Sequence, residues 1–148
     1  MLRPAERRDT HWVSSELDLV REAFEGWNEG VREVRVDWVH PDCELVTRFG
    51  SFRGQPYRGY AGVAEWIRDI NENFEDWRLE ADDFHEEGGR VAVLGRVHLR
   101  GRGSGVAFPQ EMGWLFDFRD GRIVRMETFT DSKEALVRLK SSASQPAK

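Results

Sequence analysis

At 148 residues the chain is long enough for one domain with a real core and too short for two comfortable ones. Charged residues make up 33% and hydrophobic residues 39%, with six tryptophans, a composition that suits a soluble globular protein. The formal net charge of −5 argues against a nucleic-acid binder, because no basic excess is present to neutralise phosphates.

A single cysteine, Cys43, rules out an intramolecular disulfide and fits a reducing compartment. No apolar run approaches the roughly 20 residues of a membrane span, and no signal-peptide core follows Met1. The expected location is the cytoplasm.

Residues 1–13 are rich in charge and lack periodicity, so they are expected to form a flexible leader. Ser14 or Ser15 then caps a helix in which Leu17, Val20, Ala23/Phe24, Trp27 and Val31 recur at helical spacing. Asn28 and Gly30 break it. Val31, Val34 and Trp38 suggest a second, shorter helix ending at His40-Pro41, where proline disfavours helix in the residue before it. Cys43, Leu45 and Thr47 alternate as on a strand, and a glycine-bearing loop, FGSFRGQPYRG, follows.

A further helix begins near Gly59, with Val63, Trp66, Ile67, Ile70 and Phe74 on one face. Three strand-like runs come next. The first spans 76–86 and ends at a Gly88-Gly89 turn. The second spans 90–100, with Val91, Val93, Gly95, Val97 and Leu99 on one face. The loop GRGSG leads to the third, on which Gln110, Met112, Trp114, Phe116 and Phe118 alternate. Pro109 marks a bulge or an unpaired edge at its start.

Asp120-Gly121 supplies the positive φ angles of a tight type I′ hairpin, and IVRMETF is the partner strand. Asp131 and Glu134 suggest a capping-box variant for a last helix carrying Ala135, Leu136 and Leu139. Residues 140–148 are polar and expected to be a disordered tail. The domain proper is therefore 14–139. Its element order is that of an α+β fold, and a strongly curved antiparallel or mixed sheet can wrap around three to four helices and leave a conical cavity.

The segments PYRGYAGVAEWI at 56–67, GGRVAVLGRVHLRGRGSG at 88–105 and FDFRDGRIVRMETFTDSKEAL at 116–136 carry a resemblance. In order and spacing the chain resembles the SnoaL-like branch of the nuclear transport factor 2-like superfamily, over about residues 14 to 139. That resemblance implies a cone-shaped cystatin-like α+β roll. It does not imply one activity, since the superfamily includes ketosteroid isomerases, limonene epoxide hydrolases, polyketide cyclases and dehydratases.

Matched by frame, the isomerase base position falls on Thr47, the helix-one tyrosine on Ala23 and the protonated aspartate on Trp114. The epoxide hydrolase Asp–Arg–Asp positions fall on Val97, Gly95 and Thr128. Both ionisable sets are absent. The same frame implies a cavity lined by Ala23, Trp27, Leu45, Thr47, Trp66, Val93, Val97, Gln110, Met112, Trp114, Phe116, Met126, Thr128 and Thr130. Such a lining suits a small hydrophobic, ring-bearing molecule and needs no cofactor. It also reads as plain core.

The alternate sheet face would carry Arg96, His98, Leu115, Asp117, Arg125, Glu127 and Phe129. The resemblance implies a homodimer through that outer face. His98 with Glu127 reads either as a base with its orienting carboxylate or as an outward-facing structural pair. The four histidines lack metal-ligand spacing.

Overall fold

The computed structural model describes residues 15–47 and 54–143. The expected leader, Ser14 as a cap and part of the glycine-bearing loop lie outside them. The chain runs α1 (Ser15–Asn28), β1 (Val39–Val46), β2 (Tyr57–Arg58), α2 (Gly59–Asn73), β3 (Phe74–Glu87), β4 (Arg90–Gly101), β5 (Ala107–Arg119), β6 (Arg122–Phe129) and α3 (Ser132–Ala143). The six strands form one curved sheet in the order β2-β1-β6-β5-β4-β3. Only β1 and β6 run parallel; the other neighbours are antiparallel. This is an α+β roll, as the element order predicts.

Two-residue periodicity sets the faces. Val91, Val93, Val97 and Leu99 of β4 join Met112, Trp114 and Phe116 of β5 in the inner core. From the helices, Val20, Phe24 and Trp27 of α1 and Val63, Ile67 and Ile70 of α2 complete it. Apolar side chains recurring every three or four residues place one stripe of each helix on the sheet. Asp120 (φ 55°) and Gly121 (φ 75°) close the β5–β6 hairpin between Arg119 and Arg122, the expected I′ geometry.

Four expectations need correction. Residues 31–38 are not a helix. The Arg35 carbonyl accepts from the backbone N–H of both Trp38 and Val39, which makes a turn, and β1 begins directly at Val39. The Trp38 indole explains the choice, because the edge of its ring abuts α1 at Gly26. A Cβ at Gly26 would sit 2.5 Å from the ring, and the indole Nε1 donates to Glu22 at 3.1 Å. Pro41 is tolerated inside β1 because the β1–β6 register is broken between Val39 and Glu44.

Lys140 to Ala143 continue α3, so the structured chain passes 139, the expected end of the domain. Helix α3 also lies outside the roll. Ala135 and Leu139 pack on Ala92, Leu115 and Phe129, the face of the sheet turned away from α1 and α2. Gly113 permits that approach: a Cβ there would stand 2.7 Å from the Ser132 carbonyl and 2.9 Å from Ala135 Cβ.

The start of α3 is tied down twice. Asp131 accepts from Lys133 N–H at 3.1 Å, and Glu111 accepts from the Ser132 N–H and hydroxyl at 2.9 and 2.7 Å. Glu134 does not close the capping box; it pairs with Arg138 one turn on.

Candidate functional site

The concave face of β1, β5 and β6, roofed by α1, α2 and the 31–38 turn, forms a partly open cavity of about 130 Å³. Of the side chains expected to face it, Ala23, Trp27, Leu45, Thr47, Trp66, Met112, Trp114, Phe116, Met126 and Thr128 line it. Val93 and Val97 share their face but are fully buried in the packing beside the cavity. Gln110 turns its amide to the Glu111 carbonyl, where β5 has run past the end of β6. Thr130 is exposed beyond the last β6 residue.

Other lining residues were not anticipated. Val31, Val34 and Trp38 come from the turn expected to be a helix, with Glu33 and Arg35 beside them, and Val39 opens β1. Phe24, Val63, Ile67, Trp77, Leu79 and Ile123 complete the wall. The alternation Trp77, Leu79, Ala81 along β3 was a usable signal for two of these.

The aromatic rings hold one another in place. Phe24 meets Trp114 edge-on with centroids 5.0 Å apart, and Trp27 lies 5.7 Å from Trp66. The Trp27 indole N–H donates to the Trp77 carbonyl, so its polar atom is spent on the wall. On its other side, the Arg32 guanidinium stacks 3.7 Å from the ring centroid and donates to the Trp27 carbonyl at 2.6 Å. Burial lowers the Arg32 pKa from its ordinary value.

Polar lining is sparse and lies in two places. Thr47 and Thr128 both line the cavity, each one residue past the Val46–Glu127 pair that ends the β1–β6 ladder. Glu33 and Arg35 sit near the opposite end of β6, where Val39 pairs with Ile123. Arg35 is matched to Asp37 by two hydrogen bonds of 3.2 and 3.0 Å. Glu33 makes no hydrogen bond or ion pair with another described residue.

His98 and Glu127 do not meet. Both point to the outer face, but His98 is opposite Pro109 on β5 and Glu127 is opposite Leu115. The His98 ring hydrogen-bonds Glu80 at 2.6 Å, and that bond, with help from Arg96, lowers the Glu80 pKa. Glu127 is buried under α3, held by Arg125 at 2.9 Å and Arg138 at 3.8 Å. Leu115 and Phe129, two members of the expected dimer face, are likewise covered by α3. Among the described residues no group of three or more His, Cys, Asp or Glu is placed to hold a metal, and no helix is long and apolar enough to cross a membrane.

The family model for the SnoaL-like domain matches residues 20–126, which spans β1, both inner helices and the central strands. The chain belongs to the SnoaL-like family. Solved structures agree on the fold of this SnoaL-like chain. A nuclear transport factor 2-like protein of unknown function from Burkholderia pseudomallei is 25% identical, with a TM-score of 0.73 over 86% of this chain and 98% of its own. TerC, co-crystallised with polyporic acid, is 24% identical, with a TM-score of 0.71 over 86% and 99% of the two chains. A protein from Jannaschia described as a SnoaL-like polyketide cyclase is 22% identical, with a TM-score of 0.68 over 90% and 94%. A search of curated proteins finds no match to the chain.

Proposed function

We propose that this SnoaL-like chain binds a small, largely apolar, ring-bearing molecule in the chamber between α1, α2 and the sheet. The supporting observation is the chamber itself. It has about 130 Å³ of free space, aromatic and aliphatic walls, and neutral hydroxyls as the polar groups on its sheet side. A dry apolar cavity of roughly 150 Å³ in an unrelated protein takes up benzene, so one six-membered ring is the right scale.

Reading the same geometry as an isomerase or epoxide hydrolase meets a chemical obstacle. The aligned positions hold Thr47, Ala23, Trp114, Val97, Gly95 and Thr128, none of which exchanges a proton near neutral pH. Binding is thus the primary reading. Catalysis of the isomerase, cyclase or hydrolase kind is the second, and one observation favours it: Glu33, a carboxylate with no partner among the described residues, stands exposed at the rim of the lining. In that reading Glu33 is the acid or base.

Thermal unfolding with compact aromatic probes tests the binding reading. A ligand that binds only the folded state raises Tm as its concentration passes Kd. Ethylbenzene and acetophenone should each do so, and Ala23→Phe, which fills the chamber from α1, should abolish the response. A Tm indifferent to both probes in the parent chain would rule the reading out.

A further inference from the structure

We infer that the chamber selects ring compounds carrying one neutral hydrogen-bonding oxygen, a ketone, aldehyde or phenol, with the Thr47 hydroxyl as the selecting group. This rests on the binding reading above and narrows its ligand class. Three observations carry it. Leu45 pairs with Met126 and Val46 with Glu127, and one residue past that last pair Thr47 and Thr128 both fall on the lining. Thr128 is 2% exposed and its polar contacts are already engaged within the fold. Thr47 is half-buried and makes no hydrogen bond with another described residue.

Thr47 therefore presents a hydroxyl, able both to donate and to accept, to an otherwise greasy wall. An oxygen placed there regains a hydrogen bond that a hydrocarbon cannot make. A carboxylate fares worst, because no cation among the described residues accompanies the threonines and an unpaired charge is costly to desolvate. Arg35 does not alter this, since it sits at the far end of β6 and is matched to Asp37.

The test is calorimetric titration of the full chain with ethylbenzene, acetophenone and benzoate. One neutral hydrogen bond corresponds to about a three- to tenfold gain, so acetophenone should bind that much more tightly than ethylbenzene. Benzoate should bind most weakly. Thr47→Val, which keeps the shape and removes the hydroxyl, should equalise acetophenone and ethylbenzene. Thr47→Ser should keep the preference. Equal affinities in the parent chain, or a preference that survives Thr47→Val, would overturn the inference and leave the binding reading standing. Failure of all three probes to bind would overturn both.

Discussion

Trp114 and Thr128 are paired across β5 and β6 and look into the chamber, while the next pair along, Leu115 and Glu127, looks out under α3. This one step of register divides the molecule into a ligand side and a structural side. Trp114 also meets Phe24 from α1 edge-on, so it ties the sheet to its roof. Trp114→Ala should cost about 3–5 kcal/mol of stability in denaturant unfolding, the usual range for emptying an aromatic core position. It should also enlarge the chamber, so that bicyclic probes bind where only single rings did.

The structural side should be separable from the ligand side. Leu139→Ala removes a buried side chain from the α3 contact with Leu115 and Phe129 and should cost about 2–4 kcal/mol. Gly113→Val should displace α3, because its first side-chain carbon would already collide with Ser132 and Ala135. Limited proteolysis should then cut within α3. Acetophenone affinity of the folded Leu139→Ala protein should stay within about twofold, since α3 packs on the opposite face of the sheet and contributes no residue to the lining.

Acid should loosen α3 first. Glu111 is held below the usual carboxylate range by the Ser132 N–H and then by the Ser132 hydroxyl. A carboxyl whose folded pKa is depressed stabilises the fold above its unfolded pKa, near 4.3, and loses that contribution as pH falls through the folded value. Tm should therefore decline from about pH 4.5 downward. In Glu111→Gln the decline should be shallower, starting from a lower Tm at pH 7. Glu80, lowered chiefly by its bond to His98, contributes in the same direction on the outer face, so a Glu80→Gln, Glu111→Gln double variant should flatten the profile further.

Glu33 separates binding from turnover. If the chain is a binder, Glu33→Gln should bind acetophenone with the parent Kd, because the probe's oxygen is met at Thr47. Should a substrate be found, loss of its turnover in Glu33→Gln with Kd unchanged would identify Glu33 as the acid–base group.

Much of this architecture was legible in the residues, for physical reasons. Strand alternation along 90–100 and 110–118 has a strict two-residue period, so one correct inward residue fixes all the others. Asp120-Gly121 and Gly88-Gly89 both adopt positive φ at hairpin turns, a conformation few other pairs enter cheaply. The 31–38 turn was not legible. Val31, Val34 and Trp38 keep helical spacing, and only the cavity-facing packing of Trp38 on Gly26 shows that a turn satisfies them better.

Nor could parity decide what covers Leu115 and Phe129. An outward apolar pair suits a second subunit and a helix equally well. Gly113, a glycine in the middle of an otherwise bulky strand, was the overlooked sign that a backbone passes close by. Within the site, Gln110 and Thr130 keep the inward parity but lie past the ends of the enclosing elements, which periodicity alone does not mark.

The most direct test is a crystal structure of the chain equilibrated with acetophenone. The account predicts ring density between Trp27, Trp114 and Met126, with the carbonyl oxygen within hydrogen-bond distance of the Thr47 hydroxyl. An empty chamber at saturating probe, or density confined to the outer face near His98 and Glu80, would contradict it.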